Sequence, residues 1–526
     1  ELPKAVYSFK NVLIQDAAYD SLLKSTRAQY HRRIARVLEA EFPLVTSREP
    51  ELLAYHYTKA GLSFCAIDYW QKAGEKAFLG SANAEAIAHL RSGLDLIQSQ
   101  KAEQGRTISL LGGSSSIDLL KQELDLQTTL GKALIATKGY ASLEVEQIYK
   151  RSREICQELG TTPQLFSVLW GLWGYHAARC EHHIALDFAS RLMGLARRHN
   201  DPILEMEARF TLGFALFYLG RLQAAHEHWK VSYELYQKTN RTCQTCLTGQ
   251  DVGVASLSYM SLSAWLLGHT ADSLEYSEEA IHLALELSHP YSTGFALSMK
   301  AMFHQLRQEP EAVKHQAEAA IALATEQRFE FWLATGIIMQ GWALVELEKT
   351  DLGINQLRRG IAAHAATGAK ISWTYFLGLL ATAHAKAGQL EAGLAVLTEA
   401  LSTVERTGER FWEAELFRLR GELMYAKAGG GQNLNPEQVA MLVAQSQVSS
   451  PHSQSVEYYL NKASEIAHAQ GGKLLELRAT VSLARIWSKQ GNSKLAQHLL
   501  AKVYSQWPQG SQTVNVEEIK LLLAVE

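Results

Sequence analysis

The chain has 526 residues, of which 47% are hydrophobic and 20% charged, a balance typical of an ordered protein with a large apolar core. Lys and Arg number 51 and Asp and Glu 54, so the net charge of -3 provides no overall field that would attract nucleic acid or anionic lipid. No apolar run reaches about 20 residues, the length a membrane helix needs. The five Cys follow no regular spacing, which indicates reduced thiols and a cytoplasmic location.

The chain begins with "ELPKAVYSFK", which has neither an initiator Met nor the apolar region of a signal peptide. We therefore expect a piece cut from a longer protein. The stretch "RAQYHRRIARVLEAEF" (27–42) predicts a basic amphipathic helix. A solvated face beside a missing upstream domain explains its charges better than binding of a phosphate group.

A repeated spacing predicts the architecture of the rest of the chain. Seven loop positions each have a small residue seven positions before them, and a mostly small residue five and twelve positions after them. Residues seven apart lie on nearly the same face of a helix, so this spacing lets two antiparallel helices approach closely. The sequence therefore predicts an all-α solenoid superhelix of tetratricopeptide-like helical hairpins with a period near 40 residues. The loop positions are Gly61, Gly220, Gly268, Gln308, Glu348, Gly388 and Gly491.

The pattern lapses twice, where Gly, Ser and Gln accumulate, and no segment alternates with period two, so we expect loops there and no strands. A short helix after Pro436 and a capping helix in the tail "VNVEEIKLLLAV" are predicted as well. We expect the chain to begin with the end of a segment that follows an absent upstream domain (1–45). After it we expect first repeats (46–100), a loop (101–117), central repeats (118–428), an inserted loop (429–454), and last repeats with the capping helix (455–526).

Several stretches resemble known families. "FKNVLIQDAAYDSLLKSTRAQYHRRIARVLEAEF" (9–42) resembles the end of the winged-helix segment after the ATPase domain of STAND signalling ATPases, the MalT-like group included. "GYASLEVEQIYKRSREICQELG", "PQLFSVLWGLWGY", "GQDVGVASLSYMSLSAWLLG" and "ATEQRFEFWLATGIIMQGWALVELE" resemble the tetratricopeptide region of bacterial class III adenylate or guanylate cyclase fusion proteins.

The resemblance implies a C-terminal regulatory region whose partners include its own N-terminal ATPase and cyclase domains. This chain has no P-loop of the form GxxxxGK[ST] and no set of cyclase metal carboxylates, so we expect neither activity here. Where such ATPases commonly have Phe, a basic residue and His, this chain has Phe9, Lys10 and Asn11, which argues against nucleotide sensing by this segment. The acidic, short C-terminus also differs from the DNA-reading domain of MalT-like transcription factors.

No motif predicts catalysis, a metal site or a cofactor. Cys243 and Cys246 form a single CxxC, and His226 and His228 lie on different faces of one helix, so a four-ligand site is not indicated. His182 and His183 follow Cys180 in a predicted loop and are equally weak candidates. No nucleophile stands in a GxSxG turn. We therefore expect that this part of the protein is not an enzyme.

A candidate ligand surface follows from the superhelix, because the first helix of each pair lines its concave face. Aromatic and Met side chains recur there, and such side chains hold an amphipathic helix, a peptide or a flat small ligand. The alternative is that these rings pack against the next superhelical turn as core. The candidates are Trp170, Phe210, Phe214, Phe217, Tyr218, Trp265, Met302, Trp342 and Tyr375.

Two functions from different classes follow. The first is a sensor that binds a protein segment or small effector in this groove and relays its occupancy to an upstream ATPase or cyclase. The second is a self-associating or autoinhibitory structural module without a ligand. A helical enzyme would require clustered ionisable groups in a closed pocket, and the sequence indicates none.

Overall fold

The computed structural model describes residues 11–106, 114–160, 162–239, 249–429, 455–505 and 519. Within these ranges the regular structure is helical and there are no strands, as predicted. The helices are α1 (Val12–Ser21), α2 (Lys24–Glu41), α3 (Pro43–Arg48), α4 (Pro50–Lys59), α5 (Ser63–Leu79), α6 (Asn83–Arg106), α7 (Ser114–Lys138), α8 (Leu143–Leu159), α9 (Leu165–Ala178), α10 (His182–His199), α11 (Pro202–Tyr218), α12 (Leu222–Lys238), α13 (Val252–Leu267), α14 (Thr270–Glu286), α15 (Pro290–Leu306), α16 (Pro310–Gln327), α17 (Glu330–Glu346), α18 (Thr350–Ala366), α19 (Trp373–Lys386), α20 (Leu390–Thr407), α21 (Glu413–Lys427), α22 (Val456–Gln470), α23 (Lys473–Lys489) and α24 (Ser493–Ser505).

The predicted loop positions are the turns of the helical hairpins. Each of the seven has a positive φ, from 61° at Gln308 to 91° at Gly268, as a tight helix-to-helix turn requires. Cys180 (φ 60°) occupies the same position between α9 and α10. The predicted repeat is thereby confirmed: in each pair the first helix precedes this turn and the second follows it.

Small residues hold the two helices of each pair close together. Ala54, Ala301 and Ala381, each seven positions before a turn, are fully buried. The approach is tightest between α17 and α18, where a Cβ added to Gly341 would lie 2.7 Å from the backbone nitrogen of Leu357. Any larger residue at Gly341 would therefore force the pair apart.

The chain divides into two compact units. Unit 1 comprises Glu1–Leu134 and Ile148–Leu165. Its core includes Leu53 and Tyr57, and the hydroxyls of Tyr57 and Tyr69 both donate to the carboxylate of Glu39. These contacts join α2, α4 and α5.

Unit 2 comprises Ile135–Gln147 and Phe166–Glu526. Its first helices are almost completely buried, and every residue of α13 is buried. Repeats that are far apart in the sequence contact one another here: the amide of Lys370 donates to the carbonyl of Ala178 at 2.8 Å, and that of Arg410 to the carbonyl of Tyr218 at 2.7 Å. These contacts place first helices from distant repeats around shared cavities.

The structure changes one predicted boundary. A loop was expected at 101–117, but both ends of this range are helical, because α6 continues to Arg106 and α7 begins at Ser114. The helix expected after Pro436 and nearly all of the tail helix lie outside the described residues. None of the helices in the described ranges combines the length and apolarity needed to cross a lipid bilayer.

Candidate anion-binding chamber

A polar cavity of about 220 Å³ lies in unit 2, where the first helices of four repeats come together. Four of its lining residues are arginines, and we call the cavity the arginine chamber. Its walls are Trp265 from α13, Leu306, Arg307 and Gln308 at the end of α15, Arg418 and Glu422 from α21, and Leu474, Arg478, Ser482 and Arg485 from α23.

Arg418 organises one wall of the chamber. Its Nε and a terminal nitrogen donate to the two carboxylate oxygens of Glu415 at 2.9 and 2.7 Å, in the two-pronged geometry that guanidinium and carboxylate favour. Its other terminal nitrogen lies 2.6 Å from the carboxylate of Glu422 and donates to Ser482 at 3.1 Å. Because Glu415 and Glu422 lie three residues before and four after Arg418, one helix face presents all three groups.

The helix α23 contributes two further guanidiniums. Arg478 lies 2.8 Å from the carboxylate of Glu415, and Arg485 lies 3.2 Å from that of Glu422. The exposed fraction of the side chain rises from 9% at Arg418 to 14% at Arg478 and 39% at Arg485. The chamber therefore opens to solvent on the Arg485 side.

The arginines keep the chamber carboxylates ionised. Burial opposes ionisation of Glu422, but Arg418 and the hydroxyl of Ser482 outweigh it and lower the pKa of Glu422 to about 2. For Glu415 the burial effect is likewise outweighed by Arg418 and Arg478, and its pKa is lowered. Burial is the main cause that lowers the pKa of Arg478; Glu415 opposes this effect, and repulsion from Arg418 adds to it.

The opposite wall carries an aromatic ring and a fourth arginine. Arg307 lies 5.3 Å from the ring centroid of Trp265 and pairs with Glu309 at 2.7 Å. Trp265 is 4% exposed, and its indole nitrogen has no hydrogen-bond partner. A buried N–H donor lowers the stability of the folded state unless an acceptor forms a hydrogen bond with it.

Four guanidiniums line the chamber, and the carboxylates of Glu309, Glu415 and Glu422 pair with them. Each guanidinium has five N–H donors. The buried indole N–H of Trp265 adds a donor without an acceptor, so the lining is rich in hydrogen-bond donors.

The aromatic surface predicted from the sequence is buried in the structure. Some of them contact distant repeats; Phe217, for example, stacks on Phe411 with ring centroids 5.0 Å apart. Ligand binding by this set stays a prediction. Trp265 lines the arginine chamber, Phe210 and Phe214 line the smaller cavity described next, and the other six side chains line neither. The exposed fractions are 2% for Trp170, 3% for Phe210, 8% for Phe214, 1% for Phe217, 3% for Tyr218, 4% for Trp265, 7% for Met302, 2% for Trp342 and 1% for Tyr375.

A second, smaller cavity of about 60 Å³ is apolar, and we call it the aromatic cavity. The indole nitrogens of Trp173 and Trp332 have no hydrogen-bond partner either. No charged side chain faces this cavity. Its lining comprises Tyr140, Trp173, Gly174, Ala177, Ala178, Phe210, Phe214, Gln250, Tyr259, Phe295, Phe331, Trp332 and Ile371.

The other residues singled out in the sequence have structural roles or lie outside the described ranges. Cys243 and Cys246 fall outside them. His226 hydrogen-bonds through Nδ1 to the hydroxyl of Ser263 at 2.8 Å. Asn11 caps the N-terminus of α1 by accepting from the amide of Leu13 at 2.8 Å.

Sequence reasoning missed the chamber arginines, although a signal was present. The first helix α13 contains no charged residue, whereas α21, "EAELFRLRGELMYAK", has charges throughout its 15 residues. Charges on a helix type that is otherwise buried indicate a polar site inside the solenoid.

The paired helices, left-handed turns and small-residue contacts define the class of the protein: it is a tetratricopeptide-like α-solenoid. A scan against protein-family models gives no match. An uncharacterized protein of Rhizobium meliloti (strain 1021) is 25% identical over 489 residues, which is 92% of this chain. The chain spans 44% of the length of that relative.

Solved structures of low similarity also match. A Rap protein complexed with Competence and Sporulation Factor has a TM-score of 0.48 and 14% identity, and the match covers 77% of this chain and 98% of that one. The Cut9–Hcn1 hetero-tetramer of APC/C has a TM-score of 0.48 and 11% identity, with coverages of 94% and 87%. The apo form of the quorum sensor NprR from B. thuringiensis has a TM-score of 0.42 and 13% identity, with coverages of 73% and 98%. These scores are too low to support a functional argument.

Proposed function

We propose that this chain is a non-enzymatic regulatory module that binds an anionic group in the arginine chamber and transmits its occupancy to other domains of a longer protein. The observation behind the proposal is the unpaired, buried indole N–H of Trp265 in a cavity of about 220 Å³ that four arginines also line. A phosphate or carboxylate group would accept from both walls at once.

The dimensions favour one anionic group rather than a whole peptide. The volume of about 220 Å³ lies below the roughly 300–1,000 Å³ of pockets that enclose a drug-sized ligand, whereas a single phosphate or carboxylate group is much smaller. The group could belong to a small phosphorylated or carboxylated effector or to an acidic side chain of a protein segment. In both cases the rest of the ligand would extend out of the chamber past Arg485, where the chamber opens.

Regulation follows if the ligand favours one arrangement of the chamber walls. The walls come from α13, α15, α21 and α23, so an anion bridging them would hold distant repeats together. The resemblance to STAND ATPase and cyclase fusion proteins makes such upstream domains the expected recipients of the signal. The identity of the effector, the domains that receive the signal and the coupling between the chamber and those domains all belong to this proposal.

Thermal unfolding against a ligand panel tests the binding. The panel contains pyrophosphate, nucleotides, sugar phosphates, neutral sugars and acidic peptides, and a ligand bound only by the folded chain raises the melting temperature. We expect a rise with anions but not with neutral sugars. Trp265→Phe should reduce this rise in melting temperature, because the variant keeps an aromatic ring but lacks the N–H donor.

The matched control is Arg191→Gln, which alters an arginine that is 51% exposed and pairs with Asp187 on α10, away from the chamber. A rise that is equal in wild type, Trp265→Phe and Arg191→Gln would contradict binding in the chamber. A rise with acidic peptides but not with small anions would identify a protein segment as the source of the group.

The second candidate, a self-association module without a ligand, is favoured by the surface of unit 1. The helices α1 to α3 expose large apolar side chains, with Leu13 and Leu23 74% exposed and Leu44 78% exposed. Such a concentration is typical of an interface. We assign a second copy of the chain as its occupant, and sedimentation at several concentrations tests this: a constant monomer mass would exclude it.

A further inference from the structure

Three buried side chains from distant segments of unit 2 meet outside both cavities. Cys180 occupies the turn after α9, His182 begins α10, and Glu409 follows α20. Cys180 is 2% exposed and the other two are fully buried. One donor atom from each residue lies within 4.8 Å of the other two. We call this group the Cys–His–Glu cluster.

The backbone and a hydroxyl hold the Glu409 carboxylate in place. The amides of Ser372 and Thr374 donate to it at 2.8 and 2.9 Å, and the hydroxyl of Thr374 donates at 2.5 Å. The thiol of Cys180 lies 3.1 Å from Oε2 of the same carboxylate. Glu409 is thus fixed with one oxygen directed at the thiol.

His182 is the unexplained member of the cluster. Neither of its ring nitrogens has a hydrogen-bond partner, although the side chain is fully buried. Its Nε2 lies 3.8 Å from Oε2 of Glu409, which is too long for a hydrogen bond. Its ring stacks on Tyr218 with centroids 5.2 Å apart and planes 4° apart, so the orientation is fixed. A buried, unpaired imidazole aimed at a carboxylate and a thiol is the arrangement expected of a ligand set.

We infer that the Cys–His–Glu cluster is a zinc site. Zinc takes sulfur, imidazole nitrogen and carboxylate oxygen, and tetrahedral bonds of about 2.0 to 2.3 Å place ligand atoms about 3.5 Å apart. The observed separations, 3.1 Å from Sγ to Oε2 and 3.8 Å from Nε2 to Oε2, lie on either side of that value. The carbonyl oxygen of Lys370 accepts a hydrogen bond from the Cys180 thiol at 2.8 Å, and it would be the fourth ligand once the thiol has lost its proton.

Charge balance also fits a divalent ion. On binding, the Cys180 thiol loses its proton to solvent and forms a sulfur–zinc bond. The resulting thiolate and the Glu409 carboxylate cancel the two positive charges, so the fully buried centre is neutral. The imidazole of His182 then gains a partner for Nε2.

The ion would join segments that already touch. The amides of Lys370 and Ile371 both donate to the carbonyl of Ala178, at 2.8 and 3.0 Å. Zinc bound to Cys180 and Glu409 would add a bond network across the same junction, between residues 229 positions apart in the chain. The site is therefore structural, and it is independent of the arginine chamber.

Because the cluster is buried, metal must be supplied while the chain folds. The chain is expressed or refolded with Zn²⁺ or Co²⁺, desalted, and its metal content measured. We expect about one ion per chain and, for Co²⁺, the near-ultraviolet charge-transfer band of a thiolate ligand. Cys180→Ser and Glu409→Gln should lower the metal content at least about tenfold.

The matched control is Cys156→Ser, which alters a buried free cysteine in α8, outside unit 2. It should keep the metal and the absorption band. If Cys180→Ser fails to fold, the Co²⁺ spectrum of the wild-type chain decides the matter. Folded wild-type chain that holds no more metal than Cys180→Ser, or that binds Co²⁺ without a thiolate band, would overturn the inference.

Discussion

The arginine chamber and the aromatic cavity are built from the same kind of helix, yet their chemistry is opposite. First helices of unit 2 supply most of both linings, and in each a buried indole N–H has no partner: Trp265 in the chamber, Trp173 and Trp332 in the cavity. The cavity holds about 60 Å³ and has no charged side chain in its lining, whereas the chamber holds about 220 Å³ and has four arginines.

The difference teaches where a ligand can act on this scaffold. The lining of the aromatic cavity offers no charged side chain that could help an unpaired N–H to hold an anion, whereas Trp265 lines the chamber together with four arginines. Packing alone explains the aromatic cavity. The chamber differs in that four arginines line it beside the unpaired N–H of Trp265.

The largest effect should come from breaking the chamber's ion pairs. Arg418→Met leaves Glu415, whose side chain is 3% exposed, with one guanidinium fewer in a buried setting. We expect a loss of about 3–5 kcal/mol in the free energy of unfolding of unit 2. Chemical denaturation measures it. The double variant Arg418→Met with Glu415→Gln should recover part of the loss, and no recovery would contradict this account of the wall.

Acid should weaken the chamber and leave the aromatic cavity unaffected. The pKa of Glu422 is lowered from 4.5 to about 2 in the folded chain. A lowered pKa in the folded state means that the stabilisation is present above the unfolded pKa and is lost as the pH falls through the folded value. Between about pH 4.5 and 2 the loss should reach at most about 3 kcal/mol.

Melting curves over this pH range test the assignment. Glu422→Gln should flatten the acid dependence because it removes the titrating group. A variant in the aromatic cavity, Phe214→Leu, should keep the wild-type slope. Identical slopes in wild type and Glu422→Gln would show that other carboxylates cause the acid sensitivity.

The aromatic cavity should respond to volume rather than to charge. Phe214→Leu enlarges it and should lower the free energy of unfolding by about 1–1.5 kcal/mol. Xenon or another small apolar probe should then bind more strongly, and added phosphate should have no effect. If the stability of Phe214→Leu depended on phosphate, the proposed difference in anion binding between the chamber and the aromatic cavity would be contradicted.

The smallest effects should come from removing the unpaired indole donors. Trp265→Phe and Trp332→Phe each delete a buried N–H that forms no hydrogen bond, so the lost ring volume is offset by relief of the unpaired donor. We expect losses below about 1 kcal/mol in both, measured by denaturation. Their effects on anion binding should differ, since only Trp265 lines the chamber.

The sequence was sufficient for the fold because its determinants are local. Gly268 and Gln308 mark turns, and small residues at fixed offsets from them mark the contacts between paired helices, so spacing alone predicts the hairpins. The chamber requires a contact between Arg418 and Ser482, which are 64 residues apart in the chain. The Cys–His–Glu cluster requires a contact between Cys180 and Glu409, which are 229 residues apart. Contacts between residues so far apart depend on how the repeats stack, and no short-range sequence pattern specifies that stacking.

The predicted aromatic surface illustrates the same limit. Counting positions along first helices identified Trp265 and Phe214, but it could not show that both side chains are buried in the folded chain. Tyr375, for example, donates its hydroxyl proton to Gln305, 70 residues away, at 2.7 Å. The spacing predicted a set of positions on the first helices, and ligand binding by these residues stays a prediction.

Isothermal titration with pyrophosphate, at low and high salt, tests the central claim most directly. The wild-type chain and Arg191→Gln should bind with the same affinity, and the affinity should fall with salt because the interaction is ionic. The double variant Arg478→Gln, Arg485→Gln should bind at least about tenfold more weakly, a difference of about 1.4 kcal/mol. Equal affinity in all three proteins, or no binding by the folded wild-type chain of pyrophosphate or of any anion in the panel, would contradict an anion site in the arginine chamber.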